Sequence, residues 1–269
     1  MPNTAIQSGL FYNKFPYIAT GSGPKTLVLF PQIRDAFEDI RKVLWSLKLL
    51  KRLSKKGHKV YIIGRRRSLA ENTTTHEMAA DYEKIFKNEI GSSTLIGISL
   101  GGLIAQHFAA DYPQHVEKLV LAVTGYKIIK DQHKNMRKWI SLAEQKKWKT
   151  LYLEIAYLMH TADKKEIDEW LSPMLNTALQ NSPPDPSDFI VSMNASLTHD
   201  TSKKINRIKA KTLIIGGSLD ILFPIPVLQR TAELIPQSEI CLLENTGHGA
   251  FDEKKKAFDA AVFEFICRY

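Results

Sequence analysis

Ser99 has surroundings that could turn an ordinary hydroxyl into a nucleophile. It sits in Gly97-Ile98-Ser99-Leu100-Gly101-Gly102, with an apolar, β-rich run before it and a helix-like run (Leu103, Ile104, Ala105, Gln106, His107, Phe108, Ala109) after it. Glycines two positions either side of a serine let a strand reverse sharply into a helix, and the serine is then held in a strained conformation at the sheet edge. The Leu100 N–H would lie at the positive end of that helix, where it can stabilise a developing oxyanion. A free serine hydroxyl is a poor nucleophile and needs a base, which a carboxylate must orient. Two downstream turns offer these groups: Gly216-Gly217-Ser218-Leu219-Asp220 and Glu244-Asn245-Thr246-Gly247-His248-Gly249. Alone, Asp220 reads as a turn former and His248 as a loop residue. Together with Ser99 they stand in the order Ser, Asp, His, each directly after a predicted parallel strand, where open α/β sheets build their sites. Asp200 and Asp252 are weaker rivals for the acid, one in linker sequence and one at a helix start.

The elements that must hold these residues alternate. Apolar runs at 26–30, 59–63, 94–98, 118–123, 212–216 and 239–243 are rich in Val, Ile and Leu without strict alternation. That pattern predicts strands covered on both faces. Helical patterns lie between them at about 35–56, 75–89, 100–111 and 226–235, and a last one at 252–267 closes the chain. Thr74 and Glu77 form a capping box before the second helix, while Gly57 and Gly91 stop the first two. From about 126 to 206 the rhythm changes to helices only, at 135–148, 151–160, 164–179 and 188–197, with Pro183-Pro184-Asp185-Pro186 between the last two. The expected fold class is α/β, a doubly wound, mostly parallel sheet with an inserted all-helical cap. The domains are then 1–125 with 207–269 as core, and 126–206 as cap.

Composition sets the outer limits. With 269 residues, 44% hydrophobic and 24% charged, the chain can bury a large core. The N-terminus has no basic-then-apolar signal pattern and no apolar run reaches the length of a membrane span, so a cytoplasmic location without stable membrane insertion is expected. Only Cys241 and Cys267 are present, a poor basis for a disulfide framework. The net charge of +9 is concentrated between Arg41 and Arg67. Most of it reads as the solvated face of the first helix, opposite Phe37, Ile40, Val43, Leu44, Leu47, Leu50 and Leu53. No nucleic-acid-binding signature accompanies it, so no nucleic-acid partner is expected. Gly21-Ser22-Gly23-Pro24-Lys25-Thr26 lacks the spacing of a phosphate loop, His76-Glu77 lacks the second histidine of a zinc helix, and no other histidines fall at metal-ligand spacing.

On Gly97-Ile98-Ser99-Leu100-Gly101, Gly217-Ser218-Leu219-Asp220 and Gly247-His248, the chain resembles the α/β-hydrolase fold family over roughly residues 10–125 and 207–269. The resemblance implies a capped serine hydrolase of the carboxylesterase or lipase type, with Ser99, Asp220 and His248 as catalytic triad and no metal or organic cofactor. It implies a small-molecule ester substrate with an apolar part. The same triad would also serve a thioesterase, an acyltransferase, a carbon–carbon bond hydrolase or, with activity lost, a ligand-binding relative. The chain departs from the family at two places. Phe30-Pro31 stands where a His-Gly pair is usual, so the second oxyanion donor passes to Gln32, because proline has no N–H. Gly64-Arg65-Arg66-Arg67-Ser68 replaces a glycine- and serine-rich loop on the side of the active site. Phe30, Arg65, Trp139 and Tyr157 are candidate substrate contacts. The aromatic residues of the cap otherwise read mainly as its own core.

Overall fold

The computed structural model describes residues 6–33, 47–180, 182–183 and 185–268. A hairpin opens the described chain, β1 (Gln7–Phe11) and β2 (Phe15–Thr20), followed by β3 (Lys25–Phe30), α1 (Leu47–Lys55) and β4 (His58–Ile63). Then come α2 (Thr75–Ile85), β5 (Ser93–Ile98), α3 (Leu100–Asp111) and β6 (Val116–Ala122). Helices α4 (His133–Glu144), α5 (Trp148–Met159), α6 (Lys164–Gln180) and α7 (Ser187–Leu197) lie between β6 and β7 (Lys211–Gly217). The chain finishes with α8 (Ile225–Leu234), β8 (Ser238–Leu243), α9 (Ala250–Glu253) and α10 (Lys255–Cys267). The eight strands form one sheet in the order β1-β2-β4-β3-β5-β6-β7-β8. Pairings from β4 to β8 are parallel, while β1–β2 and β2–β4 are antiparallel.

The six apolar runs correspond to β3–β8, with ends shifted by at most two residues. Their unbroken apolar character follows from burial on both faces. Val28, Phe30, Leu95, Leu119, Leu121 and Ile214 pack on one side with α2, α3, α8 and the inserted helices. Leu27, Leu29, Ile96, Ile98, Val120, Leu213 and Ile215 pack on the other with α1 and α10. The Thr74 capping box is present, Thr74 Oγ1 accepting from the Glu77 N–H and the Glu77 carboxylate accepting from the Thr74 N–H. Gly57 and Gly91 have φ of 84° and 78°, the left-handed stops that glycine tolerates.

Several expectations are corrected. β1 and β2 were absent from the strand pattern because Gly9 and Pro16 interrupt it and β1 is largely exposed. Of the predicted first helix, residues 35–46 lie outside the described residues, and the helix seen is Leu47–Lys55. The second helix passes into a π-helical turn at Phe86–Ile90. Trp148 begins a new helix instead of ending one, and the last helix is broken at Lys254, whose backbone is non-helical.

The inserted helices leave and rejoin the sheet at one place. Thr201 N–H donates to Tyr126 O at 3.0 Å, and Lys127 and Asp200 form an isolated bridge. The buried Gln106 on α3 ties these segments down, donating to Gly125 O at 3.0 Å and accepting from the Thr201 hydroxyl at 2.7 Å.

Beside that junction, the buried rings of His107 and His199 stand 5.0 Å apart, and His199 Nδ1 is 2.8 Å from Thr75 Oγ1. Burial, reinforced by Lys204 and His76 and opposed by Asp111, lowers the His107 pKa to about 4. Burial, with His107 and Lys204 adding to it, takes His199 well below its ordinary value. Both rings are therefore neutral in the folded chain, whereas unfolded histidines bind protons below about pH 6.5. Unfolding takes up protons between those limits, so stability is complete above about pH 6.5 and is lost as pH falls toward 4. His107 alone would contribute a loss of about 3 kcal/mol at pH 4. Urea midpoints measured at pH 8, 6 and 5 should fall in that order for the wild type, and less steeply for His107→Gln. Equal slopes for the two proteins would contradict the assignment.

Candidate active site

Ser99 lies between β5 and α3 with φ 50° and ψ −116°, a conformation that costs a non-glycine residue about 1–3 kcal/mol. Its N–H donates to Ala122 O at 2.9 Å, and its carbonyl accepts from Gly102 N–H at 2.8 Å and Leu103 N–H at 3.1 Å. The neighbouring glycines are required by contact. A Cβ on Gly97 would lie 2.7 Å from Gly101 O, and one on Gly101 would lie 2.1 Å from Phe30 O. The next residue along from Ala122 on β6, Val123, also has a positive φ of 45°, with its N–H donating to Ile215 O at 2.7 Å.

Ser99 Oγ is 2.9 Å from His248 Nε2, and His248 Nδ1 is 2.9 Å from Asp220 Oδ2. The second carboxylate oxygen, Asp220 Oδ1, accepts from Leu222 N–H at 2.8 Å and Phe223 N–H at 3.1 Å. Asp220 and His248 are each 2% exposed. A carboxylate accepts only, so Nδ1 carries the proton and Nε2 presents its lone pair to Ser99. The Phe223 ring stacks on the imidazole at 5.8 Å between centroids.

The turns bearing the acid and the base are built against each other. Ser218 N–H donates to Leu243 O, Leu219 N–H to Thr246 O, and Asn245 N–H to Ser218 Oγ, all within 3.0 Å. Gly217 makes this possible, since a Cβ there would lie 2.3 Å from both Thr246 O and Gly247 O. Parallel pairing of β7 with β8 thus brings two residues 28 positions apart into one hydrogen-bonded unit.

A narrow cavity of about 40 Å³ opens on Ser99 and His248. Its polar lining is Gln32, Ser99, Ser196 and His248, and the rest is apolar, including Trp139, Met136, Met159, Met193 and Phe223. No lysine, arginine, aspartate or glutamate lines it among the described residues. Leu100 and Gln32 both border it, and Gln32 is 3% exposed. The Leu100 N–H is in the first turn of α3, where backbone donors have no intrahelical acceptor.

Of the four candidate substrate contacts only Trp139 lines the cavity. Phe30 is fully buried against Tyr82, Phe86 and Phe108, and serves the core. Arg65 is 4% exposed and donates through Nη1 to Ser192 Oγ on α7 at 2.5 Å, so it joins the loop after β4 to the inserted helices. Arg66 pairs with Asp81 at 3.0 Å instead of standing free in solvent. The Tyr157 hydroxyl donates to Asp168 on α6, and that bond holds its pKa up at about 12. The lining residues missed by sequence reasoning, chiefly Met136, Met193, Leu222 and Phe223, carry no signal beyond apolar spacing.

Among the described residues, no helix is long and apolar enough to cross a membrane, and no group of three or more His, Cys, Asp and Glu side chains could hold a metal ion.

Residues 42–255 match the family model described as the alpha/beta hydrolase fold. The chain is 30% identical over 190 residues to a Methanothermobacter thermautotrophicus protein named "Probable acyltransferase", covering 64% of this chain and 59% of that one. It is 27% identical over 180 residues to the 2-hydroxy-6-oxo-6-phenylhexa-2,4-dienoate hydrolase of Comamonas testosteroni, covering 64% and 62%. The chain thus spans about three fifths of the length of these relatives. Among solved structures, MGS-M2, an alpha/beta hydrolase enzyme from a Medee basin deep-sea metagenome library, superposes with a TM-score of 0.83 at 20% identity over 97% of both chains. The strand order, the serine turn and the family match agree: the chain belongs to the α/β-hydrolase fold family.

Proposed function

We propose that this protein is a serine hydrolase that cleaves carboxylic esters through an acyl-enzyme on Ser99. The observation that carries the reading is the unbroken hydrogen-bonded line from Ser99 Oγ through His248 to Asp220. In the first half-reaction Ser99 Oγ attacks the ester carbon while its proton passes to His248 Nε2. Asp220 fixes the ring and stabilises its charged form. The Leu100 and Gln32 N–H groups face the oxyanion as it forms. The tetrahedral species collapses, the C–O bond to the alcohol breaks, and His248 returns the proton to the departing oxygen. Water then repeats the sequence on the acyl-enzyme, with His248 as its base, and frees the acid and Ser99. Residues 126–206 act as a cap whose Met136, Trp139, Met159 and Met193 meet the apolar part of the substrate. No cofactor takes part in this scheme.

An ester is favoured over the carbon–carbon substrate named for the Comamonas testosteroni relative. That substrate is a dienoate, and no cationic side chain among the described lining residues would meet its carboxylate. Nitrophenyl esters of neutral C2 to C8 acids are the decisive substrates, assayed beside the dienoate and an acyl-thioester. The expected result is an acyl burst stoichiometric with enzyme, followed by turnover on the neutral esters. Turnover of the dienoate or thioester alone would overturn the reading.

A further inference from the structure

The turn that carries His248 is gripped by segments outside the triad. On one side, Gly249 N–H donates to Met159 O at 2.6 Å. On the other, Gly247 N–H donates to Glu253 Oε2 at 2.7 Å. The second oxygen of that carboxylate, Glu253 Oε1, accepts from both the N–H and the hydroxyl of Thr161, each at 2.6 Å. Thr161 follows the C-terminus of α5, and Glu253 is the last residue of α9. One carboxylate therefore bridges the histidine turn and the end of an inserted helix through three short bonds to charge, the stronger kind.

The contact is close enough to transmit position. A Cβ on Gly247 would lie 2.7 Å from Met159 O, and one on Gly249 would lie 2.9 Å from the His160 ring. At Gly247 backbone thus packs on backbone, with the Met159 carbonyl nearest, while Gly249 packs on the His160 ring with the Met159 carbonyl behind it. Met159, whose carbonyl holds Gly249, also lines the cavity beside Ser99 and His248.

Resting on the ester-hydrolase reading, we propose that Glu253 is a positioning residue that straps the end of α5 to the His248 turn, so that the inserted helices set the distance between the imidazole and Ser99. Glu253→Gln tests it with volume kept. A glutamine has one oxygen acceptor, so whichever way its amide turns, an NH₂ faces either the Gly247 N–H or the Thr161 donors. Thr161→Val removes a single donor at the far end of the strap. For each variant, kcat and KM on a neutral nitrophenyl ester are measured together with the low-field proton resonance of His248 Nδ1–H in substrate-free protein. That resonance is assigned by its loss in Asp220→Asn and His248→Ala.

The expected result for Glu253→Gln is a fall in kcat of about 10- to 100-fold, as for a small misplacement of a catalytic group, with KM within about 3-fold of wild type. The His248 resonance should shift or broaden. Thr161→Val should lower kcat by about 2- to 10-fold, the worth of one hydrogen bond, and move the same resonance. The double variant should be no worse than Glu253→Gln alone. A resonance and kcat unchanged in either single variant, or a loss confined to thermal stability, would overturn the proposal. If the wild type cleaves no ester, the functional reading fails, but the resonance still decides whether the strap sets His248.

Discussion

Replacing Ser99 with alanine is expected to lower kcat on neutral esters by about 10⁶-fold while the protein stays folded. The geometry makes the size of the effect follow. Ser99 Oγ is the atom that His248 Nε2 faces at 2.9 Å, so without it the base has only water to activate, and no acyl-enzyme forms. The residue left would still border a cavity with the Leu100 and Gln32 donors, which is why some acceleration over water should survive. Alanine removes a single oxygen and keeps a Cβ, so the backbone at φ 50° carries the same strain as before. A comparison with Ser99→Gly separates chemistry from folding. Both variants should lose activity and covalent labelling by a fluorophosphonate, but the glycine variant should melt higher, because it relieves about 1–3 kcal/mol of backbone strain. Turnover or labelling that persists in Ser99→Ala would place the nucleophile elsewhere.

Much of this arrangement is legible in the chain because parallel sheets leave a plain trace. Strands covered on both faces read as short apolar runs, and the residues directly after β5, β7 and β8 gather at one sheet edge whatever their distance in sequence. Ser99, Asp220 and His248 could be chosen for that reason. Contacts set by tertiary packing leave no such trace. Arg65 stands in a run of three arginines and reads as a candidate substrate contact, and nothing nearby marks its partner Ser192, 127 positions away. The cavity wall is equally silent. Met136, Met159 and Met193 sit at helical apolar positions, and the same spacing would serve a helix buried wholly among its neighbours. β1 was hidden by its exposure, since an edge strand in solvent needs no hydrophobic face, and the largely buried β2 by Pro16, which interrupts its apolar run. At the Phe30-Pro31 departure only packing shows where the chain goes next. The backbone of Phe30 and Pro31 touches Gly101 at the start of α3, and the chain then brings Gln32 to the cavity beside Leu100.

Asp220→Asn should lower kcat by about 10⁴-fold through the tautomer of His248, with little change in fold. Asp220 uses its two oxygens for different tasks. Oδ1 accepts the Leu222 and Phe223 N–H groups, and Oδ2 accepts the His248 Nδ1–H. An asparagine has only one oxygen, and two backbone donors compete with one imidazole for it. Turning the amide so that its oxygen serves both backbone N–H groups satisfies the larger number of buried donors. The NH₂ then faces His248 Nδ1, which must become an acceptor, and the ring proton moves to Nε2. In that state His248 donates toward Ser99 Oγ and cannot take its proton, although every heavy atom keeps its place. The opposite amide orientation would preserve the working tautomer, but it sets an NH₂ against two buried N–H groups, at a cost of about 1–3 kcal/mol for each donor left unpaired. Kinetics and the low-field proton spectrum together distinguish the outcomes. Loss of the Nδ1–H resonance alongside the fall in kcat is the expected pair. A variant that keeps both the resonance and near wild-type kcat would show that the carboxylate at position 220 does not orient the base.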